Sequence, residues 1–266
     1  MAQRWGDEYF HFLVEALPRI SLMLDILREH LEIKIALYAP QAATMDYKTY
    51  VDQFLELLGL RKDRLIFIRE PIHAELAILS SSAPCFKPDA RTINMLRHIL
   101  LQALYPSSGG VPLPPPRPVV VLVVRKSLRW LGNNDQVRDA LQQEFPSHDV
   151  VEFFGVGPIV SQLRLFATAS LVVAPHGAGL SNIMVSPRHT PVLEIAPPAC
   201  TACYVHLALK LQHIYARHPG SSTWTTPCES EYEPNVEEII VLVRHLLEGK
   251  RRADLAEPPD TVLVDV

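Results

Sequence analysis

Residues 119 to 124 read "VVVLVV", six apolar side chains in succession, five of them β-branched. A strand wetted on one face alternates polar with apolar residues; one without a polar position is covered on both faces, as in a parallel sheet flanked by helices. The run therefore commits the chain to an α/β fold. The residues beyond it agree: a helical pattern in "NDQVRDALQQEF", the strand "DVVEFF", a helix through "SQLRLFATA", the strand "LVVAP", the strand "PVLEIA" and a helix in "TACYVHLALKL". This succession is a Rossmann-like half.

The first half has the same alternation in a less regular form. "KIALYA" (34–39), "RLIFI" (64–68) and "LAILS" (76–80) have strand length, and the amphipathic "YVDQFLELLGL" ends in Gly59. A helical stretch near "INMLRHILLQAL" precedes "YPSSGGVPLPPPRP" (105–118), whose prolines and glycines predict an interdomain linker or long loop, polyproline-like over its proline run. Towards the end, Asn235 and Glu238 have capping-box spacing. Val236, Ile239, Ile240, Val243, Leu246 and Leu247 then share one helical face, Gly249 is a suitable stop, and "AEPPDTVLVDV" reads as a tail.

Composition excludes several classes. With 25 Lys plus Arg against 29 Asp plus Glu, the net charge of -4 leaves no cationic surplus for a nucleic acid backbone. Hydrophobic residues fall in short blocks, none near the ~20 apolar positions of a membrane span. The opening "MAQRWGDEYFHF" has no apolar h-region behind a basic stretch, so it shows no signal or anchor. Four cysteines are too few and too unevenly placed for a disulfide scaffold. The Cys200-x-x-Cys203 pair lacks a second pair for zinc and reads as ordinary thiols, with a bond from Cys228 to one of the two left open.

"VVAPHGAGLSN" (172–182) carries the chemistry. A glycine turn between the carboxyl end of a parallel strand and a helix N-terminus presents backbone N–H groups to an anion. His176 is placed to donate to a phosphate oxygen, Gly177 and Gly179 allow close approach around Ala178, and Ser181 or Asn182 is expected to cap the helix. The alternative is a turn that serves strand–helix packing alone. A hydrolase reading fails for want of Gly-x-Ser-x-Gly, and "GVGPIV" (155–160) lacks the third glycine of a dinucleotide fingerprint.

Four ordered blocks, "YFHFLVEALPRI" (9–20), "RKSLRWLGNNDQV" (125–137), "FGVGPIVSQLRLFATASLVVAPHGAGLSNIMVSP" (154–187) and "PVLEIAPP" (191–198), together resemble glycosyltransferase family 61. That family includes β-1,2-xylosyltransferases and protein O-linked N-acetylglucosaminyltransferases of the secretory pathway. The resemblance implies a GT-B architecture of two Rossmann-like domains facing a cleft. Its boundaries here are an acceptor-side domain over 1–106, a linker over 107–118, a nucleotide-sugar domain over 119–220, a loop and amphipathic helix over 221–250, and a tail over 251–266. Because the first block starts so near Met1, the N-terminal domain reads as shortened, and a binding module without turnover is the alternative reading.

The resemblance further implies inverting, metal-independent transfer of xylose or N-acetylglucosamine from a UDP-sugar to a glycan or glycoprotein hydroxyl, in the ER or Golgi. In keeping with that, no Asp-x-Asp occurs to chelate a cation across a diphosphate. Arg125 at the end of its strand, Lys126 beside it and Asn133 are expected at the nucleotide-sugar. Glu194 must meet either the ribose or a structural partner, and ribose is the expectation. Asp7, His11, Glu15 and Arg19 recur every four residues and form one polar stripe on the first helix, which Pro18 is expected to kink or end. Glu15 is the first candidate for the base that deprotonates the acceptor and His11 the second; a solvated helix face is the bland alternative.

Overall fold

The computed structural model describes residues 8–38, 48–68, 71–80, 86–220 and 227–256. Among the described residues, seven strands form two parallel sheets. β1 (Ile35–Tyr38) pairs with β2 (Leu65–Ile68), and β3 (Val119–Val123), β4 (Asp149–Phe153), β5 (Ala169–Pro175), β6 (Pro191–Ile195) and β7 (Ile214–His218) form a five-stranded sheet in the order β4-β3-β5-β6-β7. Counted within that sheet the order is 2-1-3-4-5, a doubly wound arrangement.

Strand β3 shows why its sequence has no polar position. Val119, Val121 and Val123 enter one apolar cluster, with Phe54, Leu96 and Leu163, while Val120 and Leu122 enter another, with Val137, Leu141, Ile239 and Val243. Each of the central three is fully buried, at roughly 1.5–3 kcal/mol apiece. The second face is covered by α6 (Asn134–Glu144) and α9 (Val236–Ala256).

The apolar cluster on the first face takes in residues of α1 (Tyr9–His11), a π-helical turn (Phe12–Ala16), α2 (Leu17–Ser21), α3 (Leu24–Glu29), α4 (Lys48–Leu57), α5 (Ala90–Leu104), α7 (Ile159–Ala167) and α8 (Cys203–Lys210). One apolar core thus runs from the N-terminal helices to the main sheet. The helical segment does not end at Pro18, which falls in the first turn of α2, directly behind the π-helical turn, where a missing N–H costs little.

Three further expectations are corrected. "LAILS" is not a strand; residues 71–80 have no regular structure, with Leu76 79% and Leu79 83% exposed. An apolar run becomes a strand only where a neighbour takes its backbone groups, and among the described residues β1 and β2 pair only with each other. Gly249 does not stop α9, which continues to Ala256 and so crosses the expected boundary at 250; a Cβ at Gly249 would lie 3.4 Å from Ile214 Cγ2. Asn235 caps that helix, its Oδ1 accepting from Glu237 N at 2.9 Å and Glu238 N at 3.3 Å, but the Glu238 carboxylate turns to His218 Nε2 at 3.0 Å. The capping box is half used. The tail over 257–266 lies outside the described residues.

His213 precedes β7 and is 5% exposed; its Nε2 donates to Ile183 O at 3.0 Å. Burial, with the nearby Arg97 and His189 charges also opposing protonation, lowers its pKa to about 4. The unfolded chain holds that proton more tightly, so this group's contribution is complete above pH 6.5 and is lost as pH falls towards 4. Denaturant titrations at pH 7 and pH 4.5 should show a loss from this group of roughly 2–3 kcal/mol. His213→Gln, less stable at pH 7, should lose correspondingly less; an identical loss in both proteins would assign the acid sensitivity elsewhere.

Candidate functional site

β3 and β5 are neighbours, yet the chain leaves β3 for β4 on one side while β5 continues to β6 on the other. Connections that diverge in this way leave a crevice outside the carboxyl ends of the two strands. Arg125 follows β3 at that point, and His176 and Gly177 follow β5. The two segments meet closely: a Cβ on Gly177 would lie 2.0 Å from an Arg125 Nη and 2.9 Å from its Cζ. Only a glycine lets the guanidinium lie across this turn.

Gly179 serves a different purpose. Its Cβ would lie 2.9 Å from Val123 Cγ1 and 3.6 Å from Phe153 Cε1, so it sets how tightly the segment packs over β3 and β4. Packing therefore accounts for one of the two glycines. The element beyond the turn is a 3₁₀ helix (Ala178–Val185) with Gly177 at its N-cap and no side-chain cap. Ser181 and Asn182 lie inside it, 0% and 1% exposed, and so do not cap it as expected. Asn182 Oδ1 instead accepts from the Tyr9 hydroxyl at 2.5 Å, which joins the first helix to this loop.

His176 is buried and held on both sides. Its backbone N–H donates to Ile195 O at 3.0 Å, and Nδ1 bonds Glu194 Oε1. Glu194 is 0% exposed, and its other oxygen accepts from the Tyr215 hydroxyl. Both carboxylate oxygens are therefore engaged within the protein. Glu194 thus has the structural partners its burial requires, and it stands behind His176. Burial, together with the adjacent carboxylate, raises the Tyr215 pKa well above the usual phenol range, so this hydroxyl keeps its proton and remains a donor.

Arg125 Nε donates to Leu128 O at 2.8 Å, and among the described residues no carboxylate lies within ion-pair distance of it. Burial first, and then the Arg129 charge, lower its pKa. Two guanidiniums held near each other, one of them without a counter-charge among the described residues, form a site suited to an anion. A strap closes over this loop: Tyr232 N donates to Trp130 O and Gly132 N to Tyr232 O, each at 2.9 Å, while Arg129 lies 3.5 Å from Glu229. Asn133 belongs to that closure, donating from Nδ2 to Pro234 O at 2.9 Å, and Lys126 is exposed, 5.4 Å from the Phe154 ring centre. The strap is bonded to the β6–α8 loop by a Cys200–Cys228 disulfide, which replaces the free-thiol reading of those two cysteines and lies within 4.8 Å of a His176 ring nitrogen. Cys203 stays reduced and buried, its thiol pushed up to about 11; Cys85 lies outside the described residues.

The polar stripe is only partly a stripe. His11 Nδ1 bonds Glu15 Oε2 at 2.9 Å, Glu15 Oε1 accepts from Phe86 N at 2.8 Å, and both residues are 6% exposed. They are not a solvated face. Arg19 reaches away to Ser80, Nε to Oγ at 3.4 Å, and Asp7 lies outside the described residues. Phe10 and Tyr204 separate the His11–Glu15 pair from His176, with ring centres 5.3 Å apart between those two and 5.0 Å between Tyr204 and His176.

Sequence reasoning missed Tyr215, Arg129 and Tyr232. β7 was the available signal for Tyr215, since "IYARH" follows a helix at the expected spacing. Nothing local marks Arg129 or the strap.

Gly179→Ala forces a methyl into the side chains of β3 and should cost about 1–3 kcal/mol in a urea titration. Gly177→Ala meets a movable guanidinium, but at a φ of 159° it also strains the backbone, so it too should destabilise. Wild-type stability in Gly179→Ala would show that the β3 side chains give way freely.

The family model for Glycosyltransferase 61 matches residues 9–193, from the first helix through β6. The chain is also similar to protein O-linked-mannose beta-1,4-N-acetylglucosaminyltransferase 2 of Bos taurus, 30% identical over 107 residues that make up 40% of this chain and 18% of that protein. The chain spans less than a fifth of that relative's length. With well over half of its residues matched, and the matched span holding the switch-point loop, Arg125 and the first helix, the chain belongs to glycosyltransferase family 61.

Proposed function

We propose that this chain transfers a sugar, xylose or N-acetylglucosamine, from a UDP-sugar to a glycan or glycoprotein hydroxyl, with inversion and without a metal, as one side of a GT-B cleft. The observation that carries the reading is the meeting of Arg125 with the His176–Gly177 turn at the switch point of a doubly wound sheet. An acceptor hydroxyl attacks the anomeric carbon from the face opposite UDP, the bond from that carbon to the diphosphate oxygen breaks, and UDP leaves with its electron pair. Arg125 and His176 meet the growing phosphate charge, which is the larger electrostatic task in such a transfer. Glu194 and Tyr215 keep the His176 ring in place.

The hydroxyl proton goes to the His11–Glu15 pair. Glu15, whose oxygens bond His11 Nδ1 and Phe86 N, is the first candidate to take it and His11 the second. The disulfide suits an oxidising compartment, in support of the secretory pathway as location.

Arg125→Ala should weaken UDP binding by at least ~1.5 kcal/mol, the lower range for a charge-assisted hydrogen bond, as read by calorimetry. Glu15→Gln should keep UDP affinity within about twofold while transfer falls by roughly a hundredfold or more, since its role lies in the chemical step. Turnover retained in Glu15→Gln would remove the pair from the reaction, and wild-type UDP binding without turnover would favour a binding module.

A further inference from the structure

A cavity of about 350 Å³ is bounded by α4, the β4–α7 loop and residues Ala178, Gly179 and Asn182 of the 3₁₀ segment. Its lining among the described residues includes two tyrosines and three amides and no charged side chain. Each amide is anchored at one end. Gln53 Oε1 accepts from Ile159 N at 2.6 Å, Gln162 Nε2 donates to Gly157 O at 2.8 Å, and Asn182 Oδ1 accepts from the Tyr9 hydroxyl.

The anchoring decides which end of each amide is left. Among the described residues, Gln53 Nε2 and Asn182 Nδ2 are donors without a protein partner, and Gln162 Oε1 is an acceptor without one, although Asn182 is 1% and Gln162 9% exposed. Fixed amide ends of both polarities suit hydroxyls, each of which donates and accepts. The aromatic walls suit the C–H face of a sugar ring. Tyr9 and Tyr50 stand edge to face, at 74° and 5.2 Å, so they offer no parallel slot for a planar base. A neutral, hydroxyl-rich ligand fits this lining, and a phosphate does not.

We propose that this cavity is the subsite for the donor's monosaccharide, and that Gln53, Gln162 and Asn182 read its hydroxyls. The assignment rests on the UDP-sugar reading, because the 3₁₀ segment that forms one wall of the cavity begins at the turn where Arg125 lies.

The test is calorimetry of wild type and Gln53→Glu with UDP, UDP-xylose and UDP-N-acetylglucosamine. Gln53→Glu keeps the acceptor for Ile159 N–H and turns the donor end into an acceptor. The UDP-sugar that wild type prefers should weaken by roughly fivefold to tenfold in the variant, the effect of one hydrogen bond, with UDP itself unchanged within about twofold. UDP weakening in step would give the cavity to the nucleoside, and no change in either would place it outside the donor site; both overturn the proposal alone. Wild type that binds no UDP overturns the UDP-sugar reading with it. Saturation-transfer NMR of the preferred UDP-sugar on wild type depends on no variant: sugar ring protons should be saturated as strongly as the uracil protons, and unsaturated sugar protons would overturn the subsite.

Discussion

A carboxylate wholly removed from water is costly unless it is matched where it stands, and Glu194 is such a carboxylate. It is matched by His176 on one oxygen and Tyr215 on the other, so β5 and β7, the strands on either side of β6, are tied through it. With the ring of His176 fixed, the backbone turns at Gly177, and the Arg125 guanidinium lies across that turn. The crevice at the end of the sheet thus takes its form from a buried ionic and hydrogen-bonded group several residues away. Removing one partner would leave the others unmatched in an apolar interior, where the penalty exceeds the worth of the bond itself.

The N-terminal helices belong to the same construction. Their apolar faces share one core with the first face of the main sheet, and the Tyr9–Asn182 hydrogen bond brings the first helix onto the loop. Burial raises the Tyr9 pKa far above the usual range, which keeps that hydroxyl a donor at any ordinary pH. The His11–Glu15 pair and the switch-point loop are therefore parts of one packed unit, separated by a layer of aromatic rings.

Much of this was legible in the residues, where a single side-chain pattern has a single physical meaning. "VVVLVV" reads as a strand covered on both faces because no polar residue interrupts it, and the alternation of Val120 and Leu122 with Val121 between the two clusters is the result. "LAILS" is also a mainly apolar run but has no strand partner among the described residues, a fact that lies in other parts of the chain. Gly249 looks like a stop, yet α9 runs through it to Ala256. Glu194 was visibly a problem in need of a partner, but Tyr215 and His176 become its neighbours only through sheet register. The strap over Arg125 and its bond from Cys228 to Cys200 depend on a chain reversal that no local spacing encodes.

The central claim is that the turn at Gly177 and the Arg125 guanidinium make a UDP site whose charge is balanced by protein groups. Calorimetric titration of the purified chain with UDP, in the presence and absence of excess EDTA and with GDP as control, tests it most directly. Binding should be selective for UDP and the same with and without EDTA. Affinity abolished by EDTA, or no binding of UDP at all, would contradict the claim.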